Sequence, residues 1–276
     1  MTHERVRDEW QSVARGWRRW EPMFQSFSWP LALRMAAVAE IGSAQRVLDV
    51  GCGIGDPTLQ VAVLVGPHGR VLGLDIAEDM IAIARERAAA LGLAHAEFRA
   101  EDVTRADLPE ASFDAVLGRW SLIYLEDVPR VLERLRRYLV PGGRIAITAW
   151  APPEVNPWFT LPHQALARVR QVPPPDPSVP GVFHLSSDGA LARALVGAGF
   201  QTVGQERVVL SQLAHDGAEF WRMMADTAGP LAPLIEGLAP TEREGVAADV
   251  AGRLERYRAG DVLRIPAQAQ LAWGRA

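Results

Sequence analysis

Three aspartates and a glycine triplet carry the chemistry that this chain shows most openly. Val47-Leu48-Asp49-Val50-Gly51-Cys52-Gly53-Ile54-Gly55 is an apolar run that breaks into a glycine-rich turn. Glycine has no Cβ, so a ligand can approach such a turn closely. Asp75 ends a second apolar run, Val71 to Asp75, and Asp102 stands in Ala100-Glu101-Asp102-Val103 after a third. Asp49 lies two residues before the first glycine, where a bound pyrophosphate would meet a repelling carboxylate. Asp75 is placed to accept hydrogen bonds from both hydroxyls of a ribose. Asp102 is placed to meet an adenine amino group, with Val103 beside the ring. Three acids at three successive strand ends point to one cationic, ribose-bearing ligand. The dinucleotide fingerprint G-x-G-x-x-G is not met, because its last glycine position holds Asp56.

Elements in strict alternation must hold these groups. Arg46 to Val50 reads as a buried parallel strand, and Asp56-Pro57 as a helix start with Asp56 as N-cap and Pro57 at the first helical position. Glu78 and Asp79 open a helix with acids in its first turn, which suits the helix dipole. Strands follow at Ala96 to Arg99 and Phe113 to Leu117. Val128, Val131, Leu132, Leu135 and Leu139 mark one face of a helix, and Arg144 to Trp150 reads as a fifth strand. Two more strands are expected near Val203 to Leu210 and Ala267 to Trp273. The expected class is α/β, a doubly wound, mostly parallel seven-stranded sheet. In such sheets ligands bind at the carboxyl ends of the strands, where the acids stand.

Three regions fall outside the alternation. Residues 1–44 look helical and hold Trp10, Trp17, Trp20 and Trp29, so they are expected as an N-terminal lid on a core at 45–150. Residues 151–186 hold nine of the twenty prolines and are expected as an irregular cap. Residues 187–276 complete the core around a helical insertion at 212–260.

Composition limits the function classes. The 276 residues are 49% hydrophobic and 22% charged, the proportions of a globular protein. The lone cysteine, Cys52, excludes an internal disulfide and a multi-cysteine zinc site, and no cluster has metal-ligand spacing. A net charge of −4 argues against a nucleic-acid partner. No stretch reaches the ~18 apolar residues of a membrane span. Met1 to Trp10 is charged and lacks a signal peptide's apolar core, which points to the cytoplasm. Oligomeric state is not legible.

On these residues the chain resembles the class I S-adenosylmethionine-dependent methyltransferases, close to the ubiquinone/menaquinone-biosynthesis and natural-product types. Val47 to Gly55, Gly73-Leu74-Asp75-Ile76, Ala100 to Val103, Phe113-Asp114-Ala115-Val116 and Leu139-Val140-Pro141-Gly142-Gly143 carry the likeness over about residues 29–150. Ala198-Gly199-Phe200 extends it to the sixth strand. The resemblance implies S-adenosyl-L-methionine as cofactor and S-adenosyl-L-homocysteine as product. It implies Gly51 and Gly53 along the methionine part, Asp49 toward its cationic groups, and Asp75 with Ile76 at the ribose. Asp102 and Val103 would hold the adenine, and Arg119 would lie against the donor. Ile54 departs from the pattern, whose residue there is often small or polar.

The remaining candidates have bland readings beside sharp ones. Cys52 reads as a packed residue of the turn, and Asp114 as the anchor of a strand start. Trp20, Phe24 and Trp29 either pack helices or close over the cofactor, and Trp120 is either a core residue or a cation–π partner of the sulfonium. Among six histidines, His68 and His95 fall at the wrong end of the sheet, and His3 at the terminus. His163 and His184, with His215, lie in segments expected to cover the site, so His163 and His184 are the candidate general bases. After the fourth strand stands Gly118-Arg119-Trp120-Ser121, not the Asn/Asp-Pro-Pro-aromatic sequence of enzymes that methylate DNA bases. The apolar cap, with Trp158, Phe159 and Phe183, suits a small hydrophobic or aromatic acceptor methylated at oxygen or carbon. A non-catalytic partner of the same fold stays open. A nicotinamide oxidoreductase does too, although the chain has no lysine for a Tyr/Lys pair.

Overall fold

The computed structural model describes residues 3–276, so Met1 and Thr2 of the charged N-terminal stretch lie outside the described residues. Two helices, α1 (His3–Arg19) and α2 (Glu21–Val38), precede the sheet. The alternation then runs β1 (Arg46–Val50), α3 (Thr58–Val65), β2 (Arg70–Asp75), α4 (Glu78–Ala90), β3 (Ala96–Ala100), β4 (Phe113–Arg119), α5 (Val128–Tyr138) and β5 (Leu139–Trp150). It continues through α6 (Pro157–Ala167), α7 (Ala190–Gly197), β6 (Gln201–Ala214), α8 (Gly217–Thr227), α9 (Ala232–Glu236), α10 (Pro240–Leu254), β7 (Arg258–Ala259) and β8 (Val262–Arg275).

The strand order is β3-β2-β1-β4-β5-β8-β6, with the two-residue β7 paired to β8 off that path. β1 to β5 are mutually parallel, and β8 enters antiparallel between β5 and β6. This is the expected mostly parallel sheet, with one short strand more than the seven expected. Val47, Leu48, Asp49 and Val50 are all buried, because helices cover both faces of the sheet. Asp114 anchors the start of β1: its Oδ2 accepts the Arg46 amide at 2.7 Å. In α5 the Asp127 side chain caps the Arg130 amide at 3.1 Å, and Val128, Val131, Leu132 and Leu135 face the core.

Two local expectations are corrected. Helix α3 starts at Thr58, and its N-cap is Pro57 without a side-chain hydrogen bond. Asp56 does not cap it, because Arg87 takes the carboxylate at 2.7 Å from Nη1 to Oδ2. The cap at 151–186 is not irregular throughout. Pro157 opens α6 at a position where its missing N–H costs nothing, and Phe159, Leu161 and Leu166 turn inward. Pro173-Pro174-Pro175 remains without regular structure.

Candidate active site

A cavity opens at the carboxyl ends of the parallel strands, roofed by α1, α2 and α8. Gly51, Gly53, Asp75, Ile76, Asp102, Val103 and Arg119 all line it. The topology thus brings seven of the eight expected donor contacts to one place. Asp49 is the exception. It is fully buried beneath the glycine turn, outside the cavity lining, and its Oδ2 accepts the Thr58 hydroxyl at 2.5 Å. Burial pushes its carboxyl up to about 7, against the Thr58 hydrogen bond and the charge of Arg119.

The glycine turn is shaped by two residues. Gly51 has φ +68°, and a Cβ there would lie 2.2 Å from the Cβ of Ser121, so this glycine admits the loop after β4. Gly53 has φ +53° and open space where a Cβ would point. Asp75 holds the turn in this shape: its Oδ2 accepts the Gly53 amide at 2.8 Å, and its Oδ1 the Ala77 amide at 2.9 Å. Burial raises the Asp75 pKa, and the amides of Ala77, Gly53 and Ile76 oppose that rise. Cys52 is buried in the turn and packs against Leu59, Ile81, Ala84 and Phe98, as its packed reading requires.

Asp102 folds its own loop, with Oδ1 accepting the Thr104 amide and hydroxyl, both at 2.8 Å. Its Oδ2 faces His3 Nδ1 at 3.0 Å. His3 therefore lines the cavity beside Asp102, a placement that its position near the terminus concealed. Arg119 donates from Nη2 to the carbonyl of Asp56 at 2.7 Å, while its Nε–H is buried with no protein partner. Burial lowers its pKa, and Asp56 and Asp49 oppose that shift.

These groups fit an S-adenosylmethionine. The open space over Gly53 admits a ligand backbone, Asp75 and Asp102 at the cavity edge suit hydroxyl and amino groups, and the spare Arg119 donor suits a carboxylate.

Several expected roles are not supported by position. His163 is buried behind the cavity wall, stacked on Phe159, with Nε2 donating to the Pro173 carbonyl at 2.8 Å. His184 donates from Nδ1 to the Ile123 carbonyl at 3.1 Å, and burial lowers its pKa. Neither candidate base lines the cavity; one nitrogen of each ring is instead used to fasten a segment of the cap. Trp29 is 45% exposed, and Trp20 donates to Asp226 at 2.8 Å; of the three aromatic lid candidates only Phe24 reaches the cavity. Trp120 stacks on Trp150 at 4.1 Å between centroids, with the Arg119 guanidinium 5.1 Å from its ring. Those neighbours make it a packed wall residue rather than a free face for a sulfonium.

In the opposite half of the cavity Trp158 and Phe159 stand where the cap was expected to place them and Phe183 lies outside the lining, while the other residues there were not read from the sequence. Trp150, Trp158 and Phe159 continue the aromatic wall, and Phe220, Met223 and Met224 descend from α8. Gln212 joins them from β6. The charged lining residues, among those described, belong to the loops after β1–β4 and to the start of α1. From β5 onward the lining carries no charge.

Comparison with known proteins gives this geometry its context. A family model for a methyltransferase domain matches residues 41–173. The chain is 31% identical over 242 residues to nocamycin O-methyltransferase of Saccharothrix syringae, covering 84% of this chain and 85% of that protein. It is 37% identical over 140 residues to an aklanonic acid methyltransferase of Streptomyces sp. (strain C5), covering 48% of this chain and 64% of that one. Among solved structures, phosphoethanolamine N-methyltransferase 2 of Haemonchus contortus superposes with a TM-score of 0.56 at 19% identity, over 92% of this chain and 56% of that one. A [4+2]-cyclase superposes with a TM-score of 0.55 at 24% identity, over 89% and 80%. At these identities the two structures speak to the fold alone.

Proposed function

The chain belongs to the class I S-adenosylmethionine-dependent methyltransferases, and from that premise we propose which residues hold the donor and what acceptor they serve. The observation that carries the proposal is the division of the cavity into a charged half at β1–β4 and an uncharged, aromatic half beyond β5.

In this reading Asp75 accepts the ribose hydroxyls, with Ile76 beside it. Asp102 and Val103 take the adenine under His3, and Gly51 and Gly53 bound the methionine part. Arg119 offers its spare Nε–H to the donor's carboxylate. Asp49 acts from below, by accepting the Thr58 hydroxyl and so fixing the start of α3 under the turn, rather than as a direct contact. Bound S-adenosylmethionine supplies a methyl group on a sulfonium, a carbon already activated toward displacement. The protein's work is to orient and to exclude water. Phe27, Trp120, Trp150 and Trp158 form stacked or tilted walls that fix a flat acceptor. Orientation of this kind contributes roughly 7–11 kcal/mol to a bimolecular displacement.

The acceptor is a small, largely apolar aromatic molecule, methylated at oxygen or carbon. The names of nocamycin O-methyltransferase and aklanonic acid methyltransferase support a natural-product acceptor. Residues 1–44 serve as the lid, 45–150 as the donor-binding core, 151–186 as the cap, and 187–276 as the rest of the core with its insertion at 212–260. No helix among the described residues is long and apolar enough to cross a membrane. We place the enzyme in the cytoplasm, without a nucleic-acid partner.

The test is to incubate the protein with methyl-labelled S-adenosylmethionine and a panel of phenols, hydroquinones and aromatic acids. Labelled product formed together with S-adenosylhomocysteine supports the reading. Transfer only to oligonucleotides or aliphatic amines contradicts it.

A further inference from the structure

Along β6 the inward-facing positions include Leu210, Gln212 and Ala214, which are all buried. Two of these are apolar, and the third is a carboxamide only 3% exposed. A buried amide is unfavourable unless its donors and acceptor find partners. A glutamine side chain has two N–H donors and an oxygen that accepts two bonds. Gln212 makes one protein hydrogen bond among the described residues, from Nε2 to the carbonyl of its neighbour Leu213, at 3.3 Å. That is a long contact to a residue adjacent in sequence, and it explains neither the burial nor the orientation.

What the side chain does face is the cavity. Gln212 lines its uncharged half together with Trp158, Phe159, Phe220 and Met223. The hydroxyl in that half has its proton committed, since Thr227 Oγ1 donates to the Met223 carbonyl at 2.6 Å. Trp120 Nε1 and Ser121 Oγ also lack partners, but both atoms are sealed from the open space of the cavity, so neither can reach a ligand there. Gln212 is therefore the polar group of the acceptor half with hydrogen-bonding capacity to spare.

We propose that Gln212 is a specificity-determining residue that hydrogen-bonds a second oxygen of the acceptor, a carbonyl or hydroxyl remote from the atom that is methylated. The acceptor class is then a bicyclic or larger aromatic compound carrying such an oxygen, rather than a simple phenol. This deepens the methyltransferase reading and rests on it. A site built around a buried amide discriminates against an analogue lacking the matching oxygen, because that analogue leaves the amide unpaired.

The experiment compares 6-hydroxy-1-tetralone with 5,6,7,8-tetrahydro-2-naphthol, which share a skeleton and a phenol but differ in the ketone. Both are assayed with wild type, Gln212→Leu and Gln212→Met, and S-adenosylhomocysteine affinity is measured calorimetrically for each protein. The phenols differ in acidity, but that difference is common to all three proteins and cancels between them. The expected result is a fall of at least tenfold in kcat/KM for the ketone in both variants. Turnover of the plain phenol does not fall, and rises where the unpaired amide had opposed its binding, while the affinity for S-adenosylhomocysteine stays within twofold. Equal losses for both probes mean a structural glutamine and overturn the proposal, as does no loss for either. Binding of S-adenosylhomocysteine without methylation of either probe overturns the acceptor class and the proposal with it. Absence of that binding in wild type is the separate failure of the methyltransferase reading.

Discussion

Arg87 Nη2 lies 2.9 Å from Glu21 Oε1, which joins the first residue of α2 to the helix behind the glycine turn. The same guanidinium binds Asp56 Oδ2 at 2.7 Å and donates to the carbonyl of Ile54. Asp56 and Ile54 both line the cavity. One buried arginine thus fastens the N-terminal helix α2 to the turn that would hold the donor.

Arg87→Met should therefore do more harm than an ordinary surface change. It leaves the nearly buried Asp56 carboxylate without its cation, a loss of about 3–5 kcal/mol for a broken buried pair. Glu21→Gln, at the more exposed end, should cost about 1 kcal/mol or less. Urea unfolding of the two variants measures both values, and equal losses would show that the pairs do not differ in burial.

Gly51→Ala should destabilise the protein by about 2–4 kcal/mol, since it combines a positive φ with a clash on Ser121. Adding Ser121→Gly removes the clash but not the strain, so the double variant should regain most of the loss and remain about 1 kcal/mol short. Thermal melts of the single and double variants check this. A double variant no more stable than Gly51→Ala would mean that the contact with Ser121 is not the constraint.

Asp49 gives stability a pH dependence of definite sign. Burial raises it from the usual carboxylate range to about 7, so the folded protein holds this proton more tightly than the unfolded chain. Its contribution is fully present below about pH 4 and is lost as pH rises through about 7. Asp49→Asn lacks that slope. Relative to wild type, the variant should gain up to about 4 kcal/mol between pH 4 and pH 7.5. Denaturant titrations at both pH values decide it, and a constant difference would show that Asp49 is already ionised at low pH.

His163→Ala and His184→Ala should keep kcat within about twofold on any acceptor that turns over, with donor saturating. A general base contributes roughly 10²–10⁴-fold, so a loss of that size in either variant would restore it as the base.

What the sequence made legible follows the range of the interactions involved. Asp75, Asp102 and the glycines were readable because each sits at a strand end or turn, where local pattern alone fixes direction. The parallel sheet was readable for the same reason, from runs such as Val47 to Val50 and the spacing of Val128 to Leu135. Asp56 was misread as a cap because its partner Arg87 lies a helix, a strand and most of a second helix away. His163 and His184 fell in the right segments, but position in a cap does not say which face a ring turns to; carbonyls of Pro173 and Ile123 decided that. The acceptor half was the least visible part. Gln212, Phe220 and Met223 reach the cavity only because β6 pairs with β8 and α8 packs on α1, contacts between distant stretches of chain. Its local traces were the aromatic residues Trp158 and Phe159 of the cap and a glutamine in an apolar alternating row.

The central claim is that the charged half of the cavity holds S-adenosylmethionine through Asp75. Calorimetric titration of wild type and Asp75→Ala with S-adenosylmethionine, S-adenosylhomocysteine and NADH tests it directly. Wild type should bind both sulfur ligands in the micromolar range and give no heat with NADH, and Asp75→Ala should bind them at least ~10-fold more weakly, about 1.4 kcal/mol. Tight binding of NADH, or unchanged affinity of the sulfur ligands for the variant, would contradict it.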